Sequence, residues 1–200
     1  NAKYKIYLHQ DVFVINPRLI SNLLNIFQSD IKVGMVGVAG AAKLRQDQPA
    51  WWISELSTLF GTCYTRLSEN EMVRNYYGEV PGGPGAYVHV AAIDGLFMAT
   101  QYDLPWRADL FHGWHFYDIS QSREFINAGY KVVIPHQQEP WVIHDCGHKP
   151  LDDSYYENMR PIHLFFYYPS DEYISYLMTV EKLMFWDEID CRDLFPGNDL

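Results

Sequence analysis

The chain has 200 residues, of which 48% are hydrophobic and 16% aromatic, and this apolar content excludes an intrinsically disordered protein. Its formal net charge is −10 and it contains no run of Lys and Arg, which excludes a protein that binds nucleic acid through phosphate contacts. The three cysteines have no CxxC spacing, so we expect reduced thiols and a cytoplasmic protein. No apolar stretch approaches the roughly 20 residues of a membrane span.

The first predicted element is a strand over residues 4–8, because apolar and polar side chains alternate there. It runs into His9-Gln10-Asp11, after which residues 12–15 are apolar again. Two interpretations remain open for Asp11. It is either a turn residue that bonds its own backbone, or a ligand at the carboxyl end of a central strand.

A helix and a glycine-rich strand follow. Asn16 as N-cap, Pro17 in the first turn and apolar residues at helical spacing predict the helix. The apolar run 32–41 predicts a strand whose glycines allow close backbone packing. Its GxxGxxG spacing is not a nucleotide-binding fingerprint, because no helix follows in the required way. Residues 43–86 show no clear pattern, apart from the Pro- and Gly-rich loop 81–85.

The second half of the chain alternates between strands and helices. The predicted elements are strands 86–93 and 96–100 joined by the Asp94-Gly95 turn, a helix 117–128 that stops at Gly129, a strand 130–134, a last short strand in "EPWVIHDCGH" (139–148) that ends on polar residues, and helices 152–165 and 170–186. This order indicates an α/β fold with a mostly parallel sheet flanked by helices, in which ligands bind at the carboxyl ends of strands. We expect an α/β domain over residues 1–150, with residues 151–200 as a helical extension packed on it.

Several polar residues stand where predicted strands end. They are Asp11, Asp94 and the pair His144-Asp145, and Asp118 stands where the predicted helix 117–128 begins. Each alone is compatible with a structural role as a cap, a turn residue or a buried histidine. Their common position at strand ends suggests one ligand site.

Histidine spacing raises another interpretation, a hydrolytic metal site. His112 and His115 are three residues apart, and His144 and His148 four apart. A glycine next to each pair indicates loops, and no HExxH motif is present, so this interpretation is not favoured.

The strand-end motifs together resemble the GT-A-fold glycosyltransferases of the family-2 type, especially the streptomycin-biosynthesis glycosyltransferase-like subgroup. The stretch "IYLHQDVFV" resembles the strand with the family's Asp-X-Asp motif, which implies Asp11 as ligand of a divalent cation, Mn²⁺ or Mg²⁺. His9 stands in place of the first Asp. The stretch "WVIHD" resembles the closing strand and implies His144 as a further ligand.

The stretch "FYDISQSREFINAGYKVVIP" resembles the family's Glu-Asp block. The resemblance implies that Asp118 is the catalytic base, while Tyr117 stands where the family usually has Glu. It further implies that the Asp94-Gly95 turn faces donor and acceptor. Three tryptophans in aromatic clusters are either core residues or sugar-stacking residues, namely Trp51, Trp52 and Trp114.

The activity implied by the resemblance is the inverting, metal-assisted transfer of a sugar from a nucleotide-sugar donor to a carbohydrate or other acceptor hydroxyl. The family's GT-A-like (Rossmann-like) fold places nucleobase-binding strands ahead of the segment that corresponds to residue 4, so the chain is expected to hold the metal and acceptor half. An acidic protein needs a cation to bind a diphosphate, which agrees with a metal site. The alternative is a non-catalytic glycosyltransferase-like module that binds carbohydrate or a partner, an interpretation favoured by His9 in the metal motif.

Overall fold

The computed structural model describes residues 2–45, 49–147 and 153–167. Its helices are α1 Leu19–Ser29, α2 Tyr117–Asn127 and α3 Asp153–Tyr167. The predictions of helices over 117–128 and 152–165 are therefore confirmed, and the one expected over 170–186 lies outside the described residues. None of the described helices is both long enough and apolar enough to cross a bilayer.

The described strands form two sheets. In chain order they are β1 Lys5–Leu8, β2 Val12–Val14, β3 Val33–Gly37, β4 Ala39–Ala41, β5 Leu59–Ser68, β6 Glu71–Gly78, β7 Tyr87–His89, β8 Ala92–Ile93, β9 Phe97–Thr100, β10 Lys131–Pro135 and β11 Val142–His144. Sheet A has the order β1-β9-β3-β10-β7, and sheet B has the order β2-β11-β5-β4-β8 with β6 paired to β5. The α/β class is confirmed.

The prediction of a mostly parallel sheet is wrong for the described residues. Only β10 with β3 and β11 with β5 pair in parallel, and the other seven pairings are antiparallel. Parallel neighbours need a long crossover, usually a helix. Here the β5–β6 hairpin joins two antiparallel strands directly, and the other short links carry the chain into the other sheet instead of through a helical crossover to a parallel neighbour.

Short links carry the chain from one sheet to the other at four places, and we call this region the sheet junction. The links are residues 9–11 between β1 and β2, Val38 between β3 and β4, residues 90–91 between β7 and β8, and residues 94–96 between β8 and β9. The junction splits predicted strands 32–41 and 86–93 in two. Glycine makes the close approach possible, since a Cβ on Gly40 would lie 2.3 Å from the carbonyl oxygen of Ala92.

The core lies on both sides of the sheets. The buried face of α1, with Leu23 and Phe27, packs in one cluster with residues of β3 and β9. A second cluster joins α3 to the rest of the fold, because Tyr155 and Met159 pack with Phe116 just before α2. Burial of each such large apolar side chain contributes roughly 1.5–3 kcal/mol, which fixes the elements around the sheet junction.

Candidate functional site

Three side chains at the sheet junction lie close enough to share one ion. The ligand atoms of His9, Asp11 and His144 all lie within 4.8 Å of one another. His9 and Asp11 belong to the β1–β2 link, and His144 is the last residue of β11, which pairs with β2. The backbone fixes this arrangement, since the N–H of Asp145 donates to the carbonyl oxygen of Asp11 at 2.8 Å.

The distances and the donor set fit a divalent cation. Nε2 of His144 lies 3.4 Å from Oδ1 of Asp11, and two ligands each about 2.1 Å from one ion are roughly 3.0–3.4 Å apart. The rings of His9 and His144 have centroids 5.4 Å apart. Imidazole and carboxylate together suit Mn²⁺, Fe²⁺, Co²⁺ or Zn²⁺, whereas Mg²⁺ prefers oxygen ligands.

The Tyr117 hydroxyl contacts this cluster directly. It lies 2.6 Å from Nε2 of His9. Burial, the largest cause, together with the negative charges of Asp118, Asp94 and Asp11, raises the pKa of Tyr117 above its ordinary value. The phenol is therefore a neutral hydroxyl. The two positions at which the sequence departs from the family motifs are hydrogen-bonded to each other.

Asp118 lies in the first turn of α2 and is only 8% exposed. Its Oδ2 accepts a hydrogen bond from the N–H of Gly95, and its Oδ1 accepts one from the N–H of Ile119, both at 2.8 Å. Burial and then the charge of Asp94 raise the pKa of Asp118 to about 7, against the lowering effect of these hydrogen bonds. Near neutral pH this carboxyl can therefore take up or release a proton.

The Asp94-Gly95 turn connects Asp118 to the cluster of His9, Asp11 and His144. Oδ1 of Asp94 accepts from the N–H of Leu96 at 2.8 Å, which fixes the turn. The carbonyl oxygen of Leu96 accepts from the N–H of His9 at 3.2 Å. Through these bonds the end of β1 and the start of α2 both attach to the same turn.

The residue before α2 has an unusual backbone conformation. Phe116 has φ +63°, in the left-handed region that a bulky residue rarely adopts. Its side chain is buried and its ring packs against Tyr155 with centroids 5.0 Å apart. This packing holds the turn that places Tyr117 and Asp118 side by side, and such strain is common at functional sites.

Two neutral polar groups of β5 and β6, the Cys63 thiol and the Tyr77 phenol, lie near Asp94. Burial, followed by the charge of Asp94, raises the pKa of the Cys63 thiol to about 11, so the thiol stays protonated. Burial raises the pKa of Tyr77 in the same way. The junction thus concentrates the carboxyl groups of Asp11, Asp94 and Asp118, an electrostatic setting that attracts a cation.

The three tryptophans have different environments. Trp51 is 1% exposed and belongs to the core cluster around Phe116, which leaves its ring no free face for a sugar. Trp52 is half-buried and packs edge-on against Trp51, with ring centroids 6.2 Å apart. Trp114 is 74% exposed, in the loop before α2. Trp51 is therefore a core residue, and Trp114 is the one of the three whose indole ring is largely exposed to solvent.

The histidine pairs considered for hydrolysis do not form a metal cluster in the described part of the chain. There, the one group of His, Cys, Asp or Glu side chains that could share an ion is His9, Asp11 and His144. His112 and His115 are not part of it. His148 lies outside the described residues.

Sequence reasoning missed the contribution of two aromatic residues to the site. The sequence marks Tyr117 only as the residue that stands where the resembling family has Glu. Its hydrogen-bond partner His9 belongs to a motif far away in the sequence, and the fold brings the two residues together. Trp106 packs against Tyr117 with ring centroids 6.1 Å apart, and against Tyr7 at 5.3 Å. The position of Tyr117 next to Asp118, at the start of a predicted helix, was the one signal available.

Comparison with known proteins supplies the family. A sequence model described as "Glycosyltransferase like family" matches residues 1–166. The chain belongs to this glycosyltransferase-like family. No curated protein matches it. The matched range of this glycosyltransferase-like chain runs through the expected domain boundary at residue 150 into α3, and the division at that boundary stays a prediction.

Proposed function

We propose that this glycosyltransferase-like chain transfers a sugar from a nucleotide-sugar donor to an acceptor hydroxyl with inversion at the anomeric carbon. The observation that carries the proposal is the convergence of His9, Asp11 and His144 beside the turn that binds Asp118. A cation site next to a carboxyl with a pKa near neutrality supplies the two functions that this reaction requires.

His9, Asp11 and His144 are the residues that would hold a divalent cation in this proposal. When bound, the ion neutralises the negative charge that develops on the diphosphate as the glycosidic bond breaks. Asp11 contributes the anionic ligand, and the histidines contribute neutral nitrogens. The backbone bond between Asp145 and Asp11 keeps the carboxylate facing His144.

Asp118 is the proposed general base. The acceptor oxygen attacks the anomeric carbon from the face opposite the diphosphate, and the hydroxyl proton passes to the Asp118 carboxylate. The bond between that carbon and the phosphate oxygen breaks, and the nucleoside diphosphate leaves with the electron pair. A single displacement inverts the configuration. Each carboxylate oxygen of Asp118 accepts one backbone N–H and retains a second lone pair for the proton.

The proposed substrate contacts surround these groups. Asp94 and Gly95 form the turn between the metal cluster and Asp118, where donor and acceptor would meet. Trp114 offers an exposed indole face on which an acceptor sugar could stack. The streptomycin-biosynthesis glycosyltransferase-like subgroup is also part of the proposal, and it rests on the resemblance of the sequence motifs.

A non-catalytic glycosyltransferase-like module that binds carbohydrate or a partner is the second candidate. The observation that favours it is the low exposure of Asp118, 8%, with both oxygens already bonded to the backbone. A buried carboxyl of this kind also serves to hold the start of a helix against a turn. In a module of this class, ligand binding would occur without turnover.

Calorimetry distinguishes these functions. UDP and GDP are titrated into the chain with and without Mn²⁺, and then into Asp11→Ala. The proposal expects nucleotide binding that requires Mn²⁺ and is lost in Asp11→Ala. Asp103→Asn is the matched control, because Asp103 is an exposed carboxylate paired with Lys5 at the far end of β1. Metal-independent binding, or none with either nucleotide, would contradict the enzyme and favour the module.

A further inference from the structure

The hydroxyl of Tyr117 contacts one nitrogen of a candidate metal ligand. It lies 2.6 Å from Nε2 of His9, a distance typical of a strong hydrogen bond. Imidazole has one further nitrogen, Nδ1, and a nitrogen already engaged with a phenol does not coordinate a cation. If His9 is a ligand, Nδ1 is therefore the coordinating atom.

This geometry selects a tautomer of His9. A neutral imidazole carries its proton on one nitrogen, and a coordinating nitrogen must be the one without it. Coordination through Nδ1 therefore requires Nε2–H, which donates to the Tyr117 oxygen. Metal-bound histidines usually donate their second ring N–H to an oxygen in this manner, and the partner fixes both tautomer and ring orientation.

Gly95 makes the position of the Tyr117 phenol possible. A Cβ on Gly95 would lie 2.2 Å from the Tyr117 oxygen and 2.6 Å from the ring carbon that bears it. Any larger residue would force the phenol away from His9. The N–H of Gly95 also donates to Asp118, so one glycine supports the base and the partner of the metal ligand.

We propose that Tyr117 is a positioning residue of the metal site, which holds His9 in the Nε2–H tautomer with Nδ1 directed at the ion. The inference rests on the proposed function, since it assumes that His9, Asp11 and His144 bind a cation. It adds that the phenol supplies an orienting hydrogen bond without adding a negative charge to a site that already holds Asp11, Asp94 and Asp118.

The test measures Mn²⁺ affinity by electron paramagnetic resonance and the tautomer of His9 by ¹⁵N NMR with Zn²⁺ as a diamagnetic probe. Tyr117→Phe removes the oxygen and keeps the ring. We expect Mn²⁺ affinity to fall about 10–100-fold. In the wild-type chain, His9 should show a protonated Nε2 and a Zn²⁺-bound Nδ1, and Tyr117→Phe should lose this fixed signature.

Tyr87→Phe is the matched control. It removes a phenol that donates to Asp30 at 2.9 Å, at the edge strand β7 on the other side of sheet A. We expect unchanged Mn²⁺ affinity and an unchanged His9 spectrum. Gly95→Ala provides a second route to the same result, because its methyl group displaces the phenol and should weaken Mn²⁺ binding while Tyr117 is retained.

The outcomes separate this inference from the proposed function. If the wild-type chain binds Mn²⁺ and Tyr117→Phe binds it equally well, the positioning role of Tyr117 is wrong and the metal site stands. A wild-type spectrum with Zn²⁺ on Nε2 of His9 likewise overturns the role, and requires no variant to fold. If the wild-type chain binds neither Mn²⁺ nor Zn²⁺ at His9, Asp11 and His144, both proposals are wrong.

Discussion

Nε2 of His144 lies 3.4 Å from Oδ1 of Asp11, although the two residues are far apart in the sequence. That spacing is longer than a good hydrogen bond and matches two ligands of a single ion. The pair joins the β1–β2 link to the end of β11. The nature of its ligand atoms, one nitrogen and one oxygen, determines which ions it should prefer.

The first prediction concerns ion preference. Two imidazoles and one carboxylate should favour Mn²⁺ or Co²⁺ over Mg²⁺ by about tenfold or more, because Mg²⁺ requires oxygen ligands. Calorimetric titration with each ion measures this ratio. His9→Asp should reduce it, since the variant replaces a nitrogen with an oxygen ligand and the Tyr117 hydroxyl can donate to the new carboxylate. Equal affinity for Mg²⁺ and Mn²⁺ in the wild-type chain would contradict the assigned ligand set.

The second prediction concerns the proposed base. Asp118→Asn should retain metal-dependent nucleotide binding and lower the transfer rate about 10²–10⁴-fold, because the amide cannot accept the acceptor proton. Transfer to an acceptor and calorimetry of the donor are measured on the same samples. Glu124→Gln, further along α2, is the control and should leave both unchanged. Parallel loss of binding and transfer in Asp118→Asn would argue for a structural role instead.

A pH profile gives the third prediction. Because burial and Asp94 raise the pKa of Asp118 to about 7, the active carboxylate is the minor form below that pH. The kcat/KM of the wild-type chain should therefore rise about tenfold per pH unit up to about pH 7 and then level off. A flat profile between about pH 5 and about pH 8 would rule out Asp118 as the titrating base.

The same pKa predicts an opposite trend in stability. Unfolded Asp titrates near 3.9, so between about pH 4 and about pH 7 the folded state binds the extra proton and stability falls as pH rises, by up to about 1.4 kcal/mol per unit. Asp118→Asn has no such proton. Urea unfolding of both proteins should therefore show the wild type losing stability relative to the variant over this range, and a constant difference would contradict the raised pKa.

The fifth prediction compares two tryptophans. Trp51→Ala should lower the free energy of unfolding by about 3–5 kcal/mol, because it leaves a cavity in the core around Phe116. Trp114→Ala should change stability by less than about 0.5 kcal/mol. If the exposed indole stacks on the acceptor, Trp114→Ala should raise the KM for the acceptor and leave kcat unchanged. Urea unfolding and acceptor-dependent kinetics measure the two effects separately.

Periodicity predicted the parts of the fold that depend on local pattern. The apolar spacing of α1 and the Gly129 stop after α2 were sufficient to place both helices, although α1 begins at Leu19, two residues after the predicted Pro17. The β5–β6 hairpin was missed because β6 is largely exposed and lacks the alternation of a half-buried strand. The change of sheet within residues 32–41 was equally invisible, since both halves are fully buried.

The polar residues at strand ends predicted which residues belong to the site. The contacts among these residues could not be predicted from the sequence. His9, Asp11 and His144 could be named because polar residues interrupt apolar strands at those points. The bond between Tyr117 and His9, and the two backbone bonds to Asp118, depend on how the β8–β9 link passes beneath α2. That arrangement is set by packing over long sequence distances, and no local pattern encodes it.

The β1–β2 link has a mechanical consequence if the cation binds as proposed. His9 follows the last residue of a strand in sheet A, whereas His144 ends a strand in sheet B. An ion bound by both residues would link sheet A to sheet B. Hydrogen exchange in the edge strands β1 and β2 should then slow in concert upon loading with Mn²⁺, so that the two edges open as one cooperative unit instead of fraying independently.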